Sequence, residues 1–364
     1  MNPGACLGRT IAACAGLLAG AVGRGAVEGP PALRELAATR GLRVGTAVKA
    51  AALDEAVYRD TLLRNFAIVT PENELKMKPV RPARDRFEFA AADRIVDFAQ
   101  QHGLRVRGHT LCWAADDHQP AWLLQQAATP AVAQDLLREH IFTVMQRYHG
   151  RVRDWDVVNE SIANSNQPGA SPYVDGYWLR ALGEDYIALA FRLAREADPA
   201  ARLFYNDYDH GRALGPKSDR IFALLQRLKA AGVPLDGVGL QLHCSIKDPP
   251  KRAELVANFR RLADLGLVVQ VTELDVETMT GSGTPEERLA QQAQVYRDVF
   301  AAALEAKIEA VVTWGFTDKF RHTALLRRKN LPPELDTPMW LFDAAYDPKP
   351  AFDAVTHLLR EPAP

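Results

Sequence analysis

The sequence predicts a (β/α)₈ barrel, and three observations lead to that prediction. The chain has 364 residues, a length that a single barrel can occupy. Eight short apolar runs rich in valine and leucine each precede a stretch with helical spacing, as buried parallel strands and their crossover helices do. Several of the runs come after a glycine, which ends a helix in the left-handed conformation without a Cβ clash: Gly41, Gly103, Gly150, Gly232 and Gly266.

The predicted strands recur along the whole chain after residue 42. They lie near residues 43–48, 66–70, 104–110, 153–159, 202–206, 238–243, 267–273 and 310–316. An open, doubly wound sheet is the alternative arrangement for such a pattern. Neither GxGxxG nor GxxxxGK[ST] follows any of these strands, so the phosphate-binding fingerprints typical of that alternative are missing.

The helices are predicted from apolar residues that recur every three or four positions. Thr129 is a candidate N-cap and Pro130 a candidate first helical residue. The apolar face that follows them consists of Ala133, Leu137, Ile141, Val144 and Tyr148. Long loops after the fourth and eighth strands, residues 161–176 and 317–338, are predicted to line the mouth of the barrel.

The composition excludes several kinds of protein. An apolar fraction of 48% and a charged fraction of 24% are ordinary for a soluble globular protein and exclude a chain that is disordered, collagenous or coiled-coil throughout. Lys and Arg number 44 and Asp and Glu 45, so we expect no general attraction to nucleic acid. Cys112 and Cys244 form no zinc spacing and no disulfide framework, and we expect two buried free thiols, no metal and no cofactor.

Residues 1–26 are predicted to be a secretory signal peptide, which implies a secreted or periplasmic protein. An apolar run of small residues from Thr10 to Gly23 follows Arg9, and it is too short to span a bilayer. A disordered cytosolic N-terminus is one alternative. A lipoprotein acceptor at Cys14 is another, although most of the apolar stretch follows that cysteine instead of preceding it.

Polar and aromatic residues cluster at the ends of the predicted strands, where a barrel carries its functional side chains. In chain order they are Glu72, Asn73 and Lys76; His109 and Trp113; Asn159 and Glu160; Tyr208; Gln241 and His243; Glu273 and Asp275; and Trp314. Aromatic faces beside many hydrogen-bonding groups suit a sugar. Two carboxylates on separate strands suit glycoside hydrolysis, which needs one protonated acid and one ionised nucleophile or base.

Each of these residues alone has a simpler structural explanation. A glutamate at a strand end can cap the next helix, a histidine or tryptophan can be part of the core, and Glu72 with Lys76 can be a helix ion pair. The accumulation of such residues at seven of eight predicted strand ends favours a functional site.

From about residue 42 to residue 359, the chain resembles the family 10 glycoside hydrolases, the (β/α)₈ endo-β-1,4-xylanases. The matching strings are VTPENELK at 69–76, RGHTLCW at 107–113, WDVVNE at 155–160, YNDY at 205–208, QLH at 241–243, VTELD at 271–275, TWG at 313–315, LFD at 341–343 and PKPA at 348–351. They occur in the family's order, which makes the resemblance specific. It implies that residues 27–364 are one catalytic domain acting on xylan or xylo-oligosaccharides, as a monomer and without a cofactor.

The resemblance also implies roles for individual residues. Glu160 is the acid/base and Glu273 the nucleophile of a retaining mechanism through a covalent glycosyl-enzyme intermediate. Asn159 contacts the hydroxyl beside the anomeric carbon, while His243, with Asp275 behind it, holds Glu273. The expected sugar contacts are Glu72, Asn73 and Lys76 on the non-reducing side, His109, Trp113, Gln241 and Trp314 around the cleaved sugar, and Tyr208 on the leaving-group side.

Three departures from the family pattern concern the rim of the site. Ala114 stands where the family usually has a histidine, and about two extra residues precede Pro120, so His118 either returns to that position or lies elsewhere. Met77 and His322 stand where tryptophans are usual. The alternatives left open are activity on another β-1,4-glycan such as a glucan, a non-catalytic glycan-binding barrel and, most remotely, a scaffold protein.

Overall fold

Eight parallel strands close into a barrel in the computed structural model, which describes residue 1 and residues 32–164, 167, 169–209, 214–320 and 338–362. The strands are β1 Arg43–Val48, β2 Ile68–Pro71, β3 Arg105–Trp113, β4 Asp154–Asn159, β5 Arg202–Asp207, β6 Gly237–Leu240, β7 Val268–Glu277 and β8 Ala310–Thr313. Each pairs in parallel with the next, and β8 pairs with β1. The ring is therefore closed, which confirms the predicted barrel and excludes the open sheet. The predicted signal peptide and His322 lie outside the described residues.

One predicted strand is wrong at its end. The apolar run at 238–243 was expected to be a single strand, but β6 stops at Leu240 and Leu242 has a φ of 56°. A left-handed residue cannot continue a β-ladder, so the hydrogen-bonded pairing is interrupted there. The chain resumes as the short strand His243–Ser245, which pairs with the far end of β7 at His243 and Asp275.

Helices connect the strands and cover the outside of the barrel. The α-helices among the described residues are Leu33–Thr39, Ala56–Asn65, Met77–Val80, Ala90–Gln101, Ala121–Leu124, Pro130–Arg147, Tyr177–Leu182, Tyr186–Ala197, Pro216–Ala230, Arg252–Ala263, Pro285–Ala306 and Pro350–Arg360. Short 3₁₀ helices lie at Ala51–Asp54, Asp116–His118 and Asp318–Phe320. The predicted face of helix Pro130–Arg147, from Ala133 to Tyr148, is buried against the barrel.

A network of ion pairs lies at the floor of the barrel, at the N-terminal ends of the strands. Arg202 at the start of β5 lies 2.6 Å from Asp154 at the start of β4 and 3.0 Å from Glu309, which precedes β8. Gln270 on β7 donates to both carboxylates, at 3.2 and 2.9 Å. Each buried carboxylate thus has a cationic and an amide partner, as charges removed from water require.

The two cysteines of the barrel are free and buried, as expected. Burial raises the pKa of both thiols, so neither is a ready nucleophile. In the part of the chain that the structure describes, no helix is both long and apolar enough to cross a bilayer.

Candidate active site

Glu160 lies at the C-terminal end of the barrel, directly after the last residue of β4. Its backbone is left-handed, with a φ of 56°, and its N–H donates to the carbonyl of Asn206 on β5 at 2.9 Å. The indole N–H of Trp113 donates to Oε2 at 3.1 Å and the amide of Gln241 to Oε1 at 3.0 Å. Burial raises the pKa of this carboxyl, and the nearby charge of Asp207 adds to the effect against the hydrogen bonds.

Glu273 lies on β7 and is 4% exposed. Asn206 donates to its Oε1 at 2.8 Å, and Nε2 of His243 is 3.2 Å from its Oε2. Burial alone would raise the pKa of this carboxyl, but the hydrogen bond from His243 and the proximity of His109 outweigh it and lower the pKa to about 2. Glu273 is therefore ionised at neutral pH, while the surroundings of Glu160 favour its protonated form.

A chain of amides joins these two glutamates across the barrel. The Nδ2 group of Asn206 donates to Glu273 and also, at 2.8 Å, to Oδ1 of Asn159. Gln241 lies 3.4 Å from the same Asn159 oxygen and donates to Glu160. Asn159 itself is fully buried, and its Nδ2 has no protein partner among the described residues. A buried donor without a partner is costly unless something else accepts from it.

His243 bridges two carboxylates. Its Nδ1 is 2.8 Å from Asp275 and its Nε2 is 3.2 Å from Glu273. Burial would lower its pKa, but the charge and hydrogen bond of Asp275 raise it well above the ordinary value for histidine. A protonated ring donates from both nitrogens, so His243 fixes the position of Glu273 and stabilises its charge.

Aromatic rings and one lysine form a wall beside the glutamates. The ring of His109 makes edge contacts with Trp113 and Trp314, at centroid distances of 5.6 and 5.2 Å. Lys76 Nζ lies 4.9 Å from the centroid of Trp113 and 5.7 Å from that of Trp314. Burial lowers the pKa of Lys76, while the charges of Glu273, Glu72 and Glu160 oppose the shift. The ammonium therefore faces the same space as both central glutamates.

The residues that follow β2 extend this wall. Lys76 donates to Oδ1 of Asn73 at 2.9 Å, and Asn73 donates to Glu72 at 3.2 Å. Glu72 also lies 3.5 Å from Lys49, which follows β1. Burial raises the pKa of Glu72, and the two lysines counteract it. The three predicted sugar-binding residues Glu72, Asn73 and Lys76 thus form one hydrogen-bonded group.

His118 returns to the site, which settles the alternative that the sequence left open. Its ring stacks on that of Trp113 at a centroid distance of 3.7 Å and an angle of 13°. Asp116, two residues earlier, anchors the longer loop because its Oδ1 accepts the N–H of Tyr177 at 2.7 Å. Burial lowers the pKa of His118 to about 4, so its ring is neutral near pH 7.

Tyr208 follows β5 on the other side of Glu160. Asn164, in the long loop after β4, donates to its hydroxyl at 2.8 Å, and Lys217 Nζ lies 3.4 Å from the centroid of its ring. Every residue predicted to belong to the site, from Glu72 to Trp314, is found at this end of the barrel.

Sequence reasoning missed three buried residues beneath the site. Asn206 was quoted in a motif without a role, yet it contacts both Asn159 and Glu273. The carboxylate of Asp156 on β4 is hydrogen-bonded to Nδ1 of His109 at 3.0 Å. Arg107 on β3 forms an ion pair with the same carboxylate. A charged residue between apolar neighbours inside a predicted barrel strand was the available signal for Asp156 and Arg107.

The geometry suits acid-assisted displacement at a carbon centre. It offers one ionised and one protonatable carboxyl, a dense set of hydrogen-bond donors and an aromatic wall. His109 Nε2 and Asn159 Nδ2 are buried without a protein partner among the described residues, so both can bind a ligand's hydroxyl oxygen. In the same residues, no group of three or more His, Cys, Asp or Glu side chains is arranged to hold a metal ion.

Comparisons with known proteins point to one family. The family model described as "Glycosyl hydrolase family 10" matches residues 32–358. The endo-1,4-beta-xylanase B of Thermotoga neapolitana is 35% identical over 309 residues, which cover 85% of this chain and 85% of that protein. The endo-1,4-beta-xylanase A of Caldicellulosiruptor saccharolyticus is 36% identical over 334 residues, covering 87% and 92%.

A solved structure gives the same result. The crystal structure of xylanase 10B from Thermotoga petrophila, in complex with xylobiose, superposes with a TM-score of 0.81 at 33% sequence identity. The match covers 91% of this chain and 98% of that chain.

Proposed function

The chain belongs to glycosyl hydrolase family 10, and we propose that it is an endo-1,4-β-xylanase that cleaves internal bonds of xylan with retention of anomeric configuration. The observation that carries the proposal is the pair of buried glutamates whose surroundings shift their pKa values in opposite directions. Glu273 has a pKa of about 2, and burial raises that of Glu160. The names of the relatives support xylan as the substrate class.

In the first step Glu273 attacks the anomeric carbon of the bound sugar. The bond to the leaving oxygen breaks, and that oxygen takes the proton of Glu160, so that an ester to Glu273 forms. The ionised state of Glu273, held by His243 and Asn206, supports its role as nucleophile. The raised pKa of Glu160 supports its role as acid.

In the second step Glu160 acts as a base and Glu273 is the leaving group. Once Glu273 is an ester its charge is gone, and with it one of the causes that raise the pKa of Glu160. Glu160 then ionises more easily, takes a proton from water and directs that water to the anomeric carbon. The new C–O bond forms, the ester bond breaks, and two inversions give net retention.

The remaining residues hold the sugar during both steps. The unpartnered Nδ2 of Asn159 supports the proposal that it donates to the hydroxyl beside the anomeric carbon, and the free Nε2 of His109 is a second contact for the same sugar. Lys76, Asn73 and Glu72 bind the sugars on the non-reducing side. Tyr208 supplies a ring on the leaving-group side.

Cleavage of defined oligosaccharides tests the proposed substrate. The protein is incubated with xylo-, cello- and manno-oligosaccharides of equal length, and products are identified by chromatography. We expect xylo-oligosaccharides to be cleaved fastest, because Lys76 and its neighbours crowd the space that a hydroxymethyl group would need. A Glu273→Ala preparation is the control for contaminating enzymes. Faster cleavage of cello-oligosaccharides would favour a glucanase, and cleavage of none a glycan-binding barrel.

We also propose that residues 1–26 direct export, so that the enzyme works outside the cytoplasm, where its polymeric substrate lies. The apolar run from Thr10 to Gly23 supports this. N-terminal sequencing of the protein from its native host should find a first residue between about Val22 and Glu28. Finding Met1 or Asn2 would contradict export by cleavage.

A further inference from the structure

A second buried carboxylate lies behind Glu160 and has no part in the steps above. Asp207 ends β5 and is 1% exposed. Its carboxylate accepts hydrogen bonds from the hydroxyl of Tyr205, from the backbone N–H of Ile162 at 3.2 Å and from its neighbour's N–H at 2.8 Å. Its backbone carbonyl accepts the N–H of Gln241 at 3.1 Å. Asp207 therefore contacts both the chain segment that carries the reaction's acid and the residue Gln241, which donates to that acid.

The contact with Ile162 matters because of the backbone at Glu160. The left-handed region is unfavourable for a glutamate, so its surroundings must hold it there. The N–H of Glu160 is bound to the carbonyl of Asn206, and two residues later Asp207 binds the N–H of Ile162. Between them, the hydroxyl of Ser161 lies 2.8 Å from that of Tyr205, which donates to Asp207. Residues 160–162 are thus each hydrogen-bonded to a residue of β5.

Lys217 is the counter-ion of Asp207. It lies in the first turn of helix Pro216–Ala230, its side chain is 4% exposed, and its Nζ is 3.0 Å from the Asp207 carboxylate. The same Nζ donates to Asn164 at 3.1 Å and stands 3.4 Å from the ring centroid of Tyr208, whose hydroxyl Asn164 also contacts. The ammonium therefore connects the carboxylate behind the acid with the ring proposed for the leaving-group side.

We propose that Asp207 and Lys217 form a positioning pair that aligns the proton donor with the leaving group: Asp207 fixes and electrostatically tunes Glu160, and Lys217 fixes Tyr208. The proposal rests on the proposed function, because it assigns a purpose to residues that do not touch the reacting atoms. A pair that only stabilised the fold would affect all substrates equally. A positioning pair affects those that need the acid and that place a sugar beyond the cleaved bond.

The charges around Glu160 determine the sign of the electrostatic effect. The titratable groups that face it are Asp207 from β5, Glu273 from β7 and Lys76 from the segment after β2. Asp207 in turn faces Lys217, Tyr205 and, from helix Tyr186–Ala197, Tyr186. The negative charge of Asp207 raises the pKa of Glu160, so neutralising that charge lets Glu160 lose its proton at lower pH.

The Asp207→Asn variant tests the proposal, because it removes the charge while keeping the size and one accepting oxygen. On xylotetraose we expect the basic limb of the kcat/KM profile to move down by roughly one pH unit, the scale of one charge removed from a partly buried site. At a pH above the wild type's basic limb, the rate should fall about tenfold. On 2,4-dinitrophenyl xylobioside, whose leaving group needs no acid and is not a sugar, we expect kcat/KM within about twofold of the wild type.

The matched control is Asp154→Asn. Asp154 is also a buried aspartate paired with a cation, Arg202, but it lies at the opposite end of β4. The Asp154→Asn variant should lower the melting temperature without moving the basic limb of the kcat/KM profile. A double variant, Asp207→Asn with Lys217→Met, leaves no unpaired buried charge and so protects the test from a folding failure. It should show the same shift as Asp207→Asn and the same sparing of the activated substrate.

Two results would overturn the positioning pair. One is an equal loss of kcat/KM on xylotetraose and on the activated xylobioside, which indicates a structural role alone. The other is a basic limb that stays where the wild type has it in both Asp207 variants. The wild-type rate on xylotetraose is measured first, since its absence contradicts the proposed function itself and the pair along with it.

Discussion

At the scale of single residues, Glu160 and Glu273 show that the same type of side chain acquires a different pKa, and so a different role, in different surroundings. Both are removed from water, which favours the protonated form of a carboxyl. Glu273 has a protonated histidine and an amide as donors, and these reverse the effect of burial. Glu160 has two neutral donors and faces further negative charge, so the effect of burial prevails.

The two alanine variants should therefore fail differently. Glu273→Ala removes the nucleophile, and we expect loss of turnover on every substrate. Glu160→Ala removes only a proton donor and acceptor, so the first step should persist with an activated aryl xylobioside, and added azide should accelerate the second step by replacing water. Initial rates with and without azide measure this. Equal losses in both variants on the activated substrate would reverse our assignment of roles.

The pH profile of the wild type follows from the same two residues. Glu273 must be ionised and Glu160 protonated in the free enzyme, so kcat/KM is maximal between their pKa values. The acid limb should lie near pH 2 if the fold survives there, and the basic limb above the ordinary pKa of a glutamic acid. On the activated substrate, whose first step needs no acid, kcat/KM of the wild type should lack the basic limb that it shows with xylotetraose. A limb at the same pH with both substrates would mean that it does not report loss of the acid's proton.

Around His118 the chain departs from the family pattern, and the effect of this residue on substrate binding is easy to measure. His118 is neutral above about pH 4 and stacks on Trp113, whose indole N–H reaches Glu160. His118→Ala should free the indole to move and raise KM for xylotriose several-fold, in line with about 0.5–1.5 kcal/mol for an aromatic pair. Gln125→Ala, at an exposed position just after helix Ala121–Leu124, is the control and should leave KM unchanged. An unchanged KM in both variants would mean that the stack has no part in binding.

At the scale of elements, the close approach of β5 and β7 to β6 explains why residue 239 is a glycine. A Cβ on Gly239 would lie 2.2 Å from Oδ1 of Asn206 and 2.7 Å from Thr272 Cγ2. Asn206 is the residue that contacts both Asn159 and Glu273, so the crowded space lies under the site. Gly45 on β1 is similarly crowded, with Ile68 Cβ at 2.6 Å, but it contacts no residue of the site.

The two glycines provide a matched test of the strand architecture. Gly239→Ala and Gly45→Ala should each lower stability by about 1–3 kcal/mol through overpacking. Only Gly239→Ala should also reduce kcat, because it displaces Asn206. Denaturant melts and kcat are measured at a temperature where both variants are folded. A full kcat in folded Gly239→Ala would show that the amide network tolerates displacement.

The same elements show how far the sequence could be interpreted. The eight strands follow from apolar runs and glycines and were predicted correctly in number and order, and the polar residues predicted at their ends lie together at one end of the barrel. The end of β6 was not predicted correctly, because nothing in the run VGLQLH marks an end after Leu240, and the pairing is interrupted by the left-handed φ of Leu242. The stack of His118 on Trp113 and the double contact of Asn206 depend on tertiary distances that no local pattern encodes.

At the scale of the whole molecule, the two ends of the barrel divide stability and activity between them. The floor carries Arg202 between Asp154 and Glu309, while the opposite end carries the glutamates. Arg202→Met should cost about 3 kcal/mol, because it leaves Asp154 without its ion-pair partner, while Glu309 keeps Arg43 and Arg105 at 3.1 and 3.4 Å. We expect kcat at low temperature to be nearly unchanged. A large loss of kcat in the folded variant would mean that the floor is coupled to the site.

The most direct test of the central claim is the configuration of the first product. Retention requires the two carboxyl groups to act in succession on one sugar, with Glu273 forming a covalent bond. Proton NMR of a xylo-oligosaccharide digest, recorded before mutarotation equilibrates the anomers, shows the configuration of the new reducing end. We predict that the β-anomer accumulates first. Initial accumulation of the α-anomer would contradict the covalent role of Glu273 and with it the mechanism proposed for this chain.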